Sequence, residues 1–78
     1  MDTKNRYYRI HEAGIGLLKF LIESYEGVAV IRTISTVDSV IEIMIAPGFE
    51  AEVEAVIDEL RDEFQITDIE RPEGLEPL

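Results

Sequence analysis

The sequence predicts an α+β fold, a four-stranded antiparallel sheet with two helices on one face. Its 78 residues suffice for one domain, spanning residues 1–78. Four segments are β-branched or alternate apolar with polar residues, and two others have helical apolar spacing. Their order is strand, helix, strand, strand, helix, strand. With right-handed crossovers, this βαββαβ order gives the ferredoxin-like sandwich, in which the first and third strands are central.

The first half of the chain predicts a strand over residues 6–11, a helix over 15–26 and a strand over 28–35. In the helix, one apolar stripe has the spacing expected of a buried face: Leu18, Leu21, Ile22 and Tyr25. Leu17 and Phe20 widen that stripe, so we expect cover over more than one narrow face. Gly27 occupies the position where a left-handed residue commonly ends a helix.

The second half predicts a strand over residues 40–46, a helix over about 49–64 and a short strand over 65–71. The first of these strands forms a hairpin with the strand before it, through a turn at residues 36–39. The helix has its own apolar stripe: Phe49, Val53, Val56, Ile57 and Leu60. Residues 1–4 and the tail, 72–78, are polar and are expected to be flexible.

The predicted sheet has two unlike faces. The helix side should carry the strand residues of the core: Tyr8, Ile10, Ile41, Ile43 and Ile45. No helix covers the other side, which should carry Tyr7, Arg9, Val30, Arg32, Glu42 and Met44, with His11, Val28, Ile34 and Val40 beside them. Arg9 and Arg32 can each reach Glu42 from neighbouring strands. An apolar face without cover predicts burial against a second copy, as a homodimer, or against another protein.

Composition excludes several classes of function. Lys and Arg number 7 against 17 Asp and Glu, a net charge of −10, so nucleic acid and anionic membranes are not expected partners. The chain has no cysteine, which removes disulfides and thiolate metal sites. No apolar run approaches the roughly 20 residues of a membrane span, and the N-terminus leads into no signal-peptide core. A cytoplasmic location is therefore expected.

The first loop and helix resemble an ACT-type regulatory domain. The residues that carry the resemblance are Gly14-Ile15-Gly16-Leu17-Leu18 and, after the helix, Gly27-Val28. Ala13 stands where those domains usually have a proline, and the acidic residue of the turn is represented by Glu12. The resemblance implies an amino-acid-like ligand at this loop, which such domains often hold across a subunit interface.

A closer similarity is to a family of small uncharacterised bacterial domains of this length. The segment that carries it is Lys19-Phe20-Leu21-Ile22-Glu23-Ser24-Tyr25-Glu26-Gly27, followed by a strand containing Arg32-Thr33. That family has no assigned activity, so the similarity implies a fold and no chemistry.

The candidate ligand site is the glycine turn, formed by Glu12, Gly14, Ile15 and Gly16. Glycines let a ligand approach the backbone, and free helix N–H groups can hold a carboxylate. The alternative is that the glycines only allow a tight turn, and it is the favoured interpretation, because Glu12 also repels an anion. His11, the only histidine, has no Cys or Ser partner marked by sequence and is better explained as a strand residue.

Carboxylates spaced i, i+4 along the second helix could hold a divalent cation weakly, but a solvated acidic face explains them better. Tyr7 and Tyr8 could stack on a nucleic-acid base, but the basic surroundings are missing.

The sequence therefore predicts no enzyme, no metal and no cofactor. It predicts a non-catalytic interaction or regulatory module that acts as a homodimer, with an ACT-like ligand sensor as the alternative.

Overall fold

The computed structural model describes residues 4–25 and 27–72. In chain order the elements are β1 (Lys4–Arg9), a 3₁₀ turn (Glu12–Gly14), α1 (Ile15–Glu23), β2 (Ala29–Ser35), β3 (Val40–Ile45), α2 (Glu50–Leu60) and β4 (Thr67–Ile69). The α+β architecture of four antiparallel strands and two helices is confirmed. The predicted helix end at Glu26 and the tail residues 73–78 lie outside the described residues.

The sheet has the order β2-β3-β1-β4, so β1 and β3 are its central strands. All three strand pairs are antiparallel. Glu42 on β3 lies opposite Tyr7 on one side and Arg32 on the other. A bulge between Thr33 and Ser35 shifts the register near the turn that joins β2 to β3.

The core lies between the helices and one face of the sheet. All five strand residues predicted to face the helices are in it, together with Leu18 and Ile22 of α1 and four residues of α2: Val53, Val56, Ile57 and Leu60. Side chains from both helices therefore pack on the same layer of strand residues. Val28, predicted on the uncovered face, is instead part of this core. It lies before the first residue of β2, so the alternation of side chains along that strand does not apply to it.

The α1 helix is shorter than predicted and less completely covered. Leu18 and Ile22 are buried, but Leu17 is 42% exposed and Phe20 is 69% exposed. The prediction that these two side chains widen the buried stripe is therefore wrong. The α1 helix packs against β2 and α2, and the side chains on its outer face are exposed to solvent. Tyr25 lies beyond the end of the helix and is 48% exposed, so it does not extend the stripe.

The end of α2 is followed by hydrogen-bonded turns that lead into β4. The Phe64 N–H donates to the Leu60 carbonyl at 3.0 Å, and the Ile66 N–H donates to the Arg61 carbonyl at 2.9 Å. Gln65 has a φ of 53°, in the left-handed region. This combination is the Schellman termination of a helical segment, which explains why the apolar periodicity predicts helix as far as Phe64.

Gly14 has a packing reason to be glycine. Its φ is −92°, so its backbone conformation is open to any residue. A Cβ atom at Gly14 would lie 2.7 Å from Phe64 Cδ1 and 2.8 Å from Phe64 Cβ, closer than carbon atoms approach. Gly16, two residues later in α1, has no such neighbour within 4 Å. The two glycines of the predicted ligand turn therefore differ in their structural role.

Alanine substitutions at these glycines should have opposite effects. Gly14→Ala forces Phe64 out of its position and should lower the free energy of unfolding by about 1–3 kcal/mol. Gly16→Ala, in the first turn of α1, should raise it by up to about 1 kcal/mol because alanine loses less backbone entropy. Urea unfolding followed by circular dichroism measures both. Equal effects from the two substitutions would contradict the packing role assigned to Gly14.

Candidate functional site

The register of the strands shows which residues share the face that the helices leave uncovered. Paired residues of antiparallel strands lie on the same face, and successive residues alternate. The side opposite the core, called the open face below, therefore carries Asn5, Tyr7, Arg9, Val30, Arg32, Val40, Glu42, Met44, Thr67 and Ile69. All six residues predicted for a dimer interface lie on it. His11 does not, because β1 ends at Arg9.

The centre of the open face is a polar triad, defined here as Tyr7, Arg32 and Glu42. The Tyr7 hydroxyl donates to Glu42 Oε2 at 2.5 Å. Arg32 Nε donates to the other carboxylate oxygen, Oε1, at 3.1 Å, and Arg32 Nη2 forms an ion pair with the same oxygen at 3.0 Å. Both oxygens of Glu42 thus have hydrogen-bond donors, one of which is a cation.

The triad is buried although neither α1 nor α2 lies above it. Glu42 is 3% exposed and Tyr7 is 6% exposed, while Arg32 is only half-buried. Burial, and next the hydrogen bond to Glu42, raise the pKa of Tyr7 above its ordinary value, so the phenol stays protonated and keeps donating. A buried carboxylate is costly unless it is paired and hydrogen-bonded, and the triad meets both conditions.

Sequence alternation placed these three side chains on one face but did not predict the Tyr7 hydrogen bond. It predicted Arg9 as a second partner of Glu42, whereas Arg9 is exposed and Tyr7 takes the second carboxylate oxygen. The reason is position in the register, since Tyr7 and not Arg9 lies directly opposite Glu42. Knowledge of the register would have been enough to find this contact.

An apolar pocket of about 300 Å³, called the base pocket below, lies where β2 begins and β3 ends. Its lining is Gly27, Val28, Ala29, Val30, Met44 and Ala46. Two of these residues, Val30 and Met44, belong to the open face, and Val30 is 54% exposed. A second pocket, of about 270 Å³, lies at the β1–β4 edge. Nothing in the sequence pattern indicated either pocket.

The predicted ligand turn is tied into the fold by several contacts. The His11 N–H donates to the Phe64 carbonyl at 2.9 Å, and the Gly14 N–H donates to the His11 carbonyl at 2.8 Å. The His11 ring is an N-cap, because Nδ1 accepts from the Ala13 N–H at 3.1 Å. The strand role predicted for His11 is therefore wrong. In this turn Gly14 is buried, Ile15 is half-buried, and Glu12 and Gly16 are exposed.

The acidic residues of α2 partly neutralise cations of β1. Glu50 lies 3.7 Å from the Lys4 ammonium, and Glu54 forms an ion pair with Arg6. A hydrogen bond from its own backbone N–H, together with Lys4, lowers the pKa of Glu50.

Among the residues that the structure describes, no group of three His, Asp or Glu side chains is placed to hold a metal ion. No helix in the described ranges is long and apolar enough to cross a membrane.

These features define a small two-layer α+β domain in which α1 and α2 cover one sheet face and a buried polar triad lies at the centre of the other. The chain belongs to the family described as Domain of unknown function (DUF4911), whose sequence pattern matches residues 8–63, more than half of the chain. No curated protein and no solved structure matches the chain significantly. The matched region includes Arg32 and Glu42 of the triad, the glycine turn and both helices, and it begins one residue after Tyr7.

Removal of the triad carboxylate should lower the free energy of unfolding much more than removal of an exposed carboxylate that also pairs with an arginine. Glu42→Ala leaves the Tyr7 hydroxyl and the Arg32 guanidinium without their acceptor and should lower the free energy of unfolding by about 2–3 kcal/mol. Glu54→Ala, which removes the exposed partner of Arg6, should cost less than about 1 kcal/mol. Urea unfolding at one protein concentration compares the two, and similar losses would contradict the role of the triad.

Proposed function

We propose that this domain is a non-catalytic interaction or regulatory module that acts as a homodimer, and that two copies associate through their open faces. The observation that carries the proposal is the composition of that face. It is partly apolar, its central polar groups satisfy one another, and it has almost none of the negative charge of the chain.

Charge favours the open face as the place where two copies can meet. The whole chain has a net charge of −10, so two copies repel each other over most of their surfaces. The open face has two arginines, Arg9 and Arg32, and one carboxylate, Glu42, which Arg32 neutralises. The exposed carboxylates of α2 lie in the other layer: Glu52, Glu54, Asp58 and Glu59. Contact through the open faces therefore keeps the acidic layers of two copies apart.

Apolar content and size support the same surface. Val30 is 54% exposed and Met44 is half-buried, so both offer apolar surface on this face. The molecule measures 30 × 29 × 17 Å, and a broad face of these dimensions is comparable with the ~800 Å² that each partner contributes to a standard interface. The triad would fix the relative orientation of the copies, as buried polar groups do in some oligomers.

Two finer assignments belong to this proposal. The strand-helix order, with β1 and β3 central, supports a ferredoxin-like classification. The absence of cysteine supports a reducing, cytoplasmic location.

A charge introduced at Val30 should dissociate the dimer without unfolding it. Size-exclusion chromatography with light scattering should show a dimer for the natural chain at micromolar concentration. Val30→Glu buries two carboxylates, one from each copy, and should raise the dimer Kd about 100-fold or more. The circular dichroism spectrum should not change, because Val30 lies outside the core.

The matched control is Ala55→Glu, which adds the same charge at an exposed position of α2. It should leave the dimer Kd nearly unchanged. A monomeric natural chain would overturn the proposal. A dimer that survives Val30→Glu would assign the contact to another surface, such as the outer edge of β2.

A second candidate function is an ACT-like sensor of amino acids or small carboxylates at the glycine turn. The observation in its favour is the open space beside Gly16, an exposed glycine in the first turn of α1. Thermal-shift measurements with a panel of amino acids at millimolar concentration test it. Binding should raise the Tm, and Gly16→Leu, which fills the space, should abolish the rise. No change in Tm with any ligand would exclude this function for the compounds tested.

A further inference from the structure

We infer that, in the dimer, Val37 of each copy inserts into the base pocket of the other, so that the two β2–β3 hairpins lie face to face and run in opposite directions. This inference rests on the proposed association through the open faces and adds its geometry. The contact joins the turn of one hairpin with the base of the second.

Val37 is an unusual residue for a hairpin turn. It is 90% exposed, the largest exposure among the large apolar side chains of the described chain. Turns usually carry Gly, Asn, Asp, Ser or Pro, and a β-branched apolar residue contributes nothing to turn geometry. The turn is held from within, since the Asp38 N–H donates to Ser35 Oγ at 3.1 Å. Val37 is thus presented on an ordered turn.

The base pocket is a matching acceptor for an apolar side chain. All six of its lining residues are apolar or glycine, and its volume of about 300 Å³ exceeds the size of a valine side chain. The Val37 of the same copy cannot fill it. Residues 31–35 of β2 lie between the pocket and the turn, a span of about 17 Å at 3.3 Å per residue.

Two-fold symmetry brings the two features together. Consider a two-fold axis that lies between two open faces and runs across the strands. It places each strand over its own copy in the reversed direction, so the turn of each hairpin lies over the base of the other. One operation then fills both pockets. An axis parallel to the strands would instead place turn over turn and leave both pockets empty.

The occupant is a second copy and not an unrelated protein because both halves of the contact are present in this chain. The strand residues of the face beside the pocket include one carboxylate, Glu42, which Arg32 neutralises, so a second copy of a chain of net charge −10 meets little repulsion there. An unrelated protein with an apolar side chain would enter the pocket without requiring Val37.

Engineered disulfides test the geometry directly, because the natural chain has no cysteine. The variant with both Val37→Cys and Val30→Cys should form a covalent dimer under mild oxidation, joined by two identical bridges. A disulfide requires Cα atoms about 4.4–6.8 Å apart, so the two cysteines of one copy cannot react with each other. Non-reducing electrophoresis shows the dimer, and mass spectrometry of peptides identifies the Val37–Val30 linkage.

Three further variants complete the test. Val37→Cys alone and Val30→Cys alone should give little covalent dimer, as should Val37→Cys with Ala55→Cys, whose second site lies in α2. Val37→Asp should raise the dimer Kd about tenfold or more without changing the fold, because an exposed turn residue has no role in the core.

The outcomes separate this inference from the proposed function. A monomeric natural chain overturns both. A dimer dissociated by Val30→Glu, in which Val37→Cys alone cross-links, overturns the reversed geometry and leaves the open-face dimer intact. A dimer insensitive to Val37→Asp means that something other than Val37 fills the pocket, and also overturns the inference.

Discussion

The open face is organised by the need to bury one carboxylate, that of Glu42. It lies on β3, a central strand with buried residues on both sides, and neither α1 nor α2 covers its side of the sheet. A carboxylate that is 3% exposed needs a counter-charge and donors for both oxygens. Tyr7 and Arg32, on the two neighbouring strands, supply them. The three central positions of the sheet are therefore linked across three strands by side chains as well as by the backbone.

The two layers of the domain differ in charge as well as in structure. The helix layer exposes most of the described carboxylates, some of them paired with Lys4 and Arg6 of β1. The open face has one carboxylate, and Arg32 neutralises it. Such segregation leaves one surface of an acidic chain with little negative charge.

The glycine turn illustrates how one sequence pattern can serve packing or binding. Gly14 and Gly16 together resemble a ligand loop, and nothing in the sequence separates their roles. The structure places Phe64 over Gly14, while the space beside Gly16 is empty. The same region ties β1 to the end of α2 through the His11–Phe64 hydrogen bond. Gly14 is therefore explained by packing, whereas no neighbour within 4 Å requires glycine at position 16.

Local sequence pattern was not sufficient to predict the exposure of Phe20 or the bounds of the helices and strands. Apolar periodicity identifies which residues of a helix could be buried, but the number actually covered depends on what packs against the helix. The α1 helix meets its neighbours on one side only, so its outer apolar residues stay in solvent. Likewise β4 is limited to three residues by the extent of its pairing with β1.

By itself the sequence determined the type and order of the elements, the side of each central strand that faces the helices, and the charge that sets limits on partners. These properties are local or additive, since alternation and spacing depend on neighbours along the chain. Only the tertiary structure decided the register that joins Tyr7 to Glu42, residues 35 positions apart, the contact of Phe64 with Gly14, and the base pocket. Those depend on which distant segments meet, and many registers satisfy the same alternation, whereas the packed core permits one.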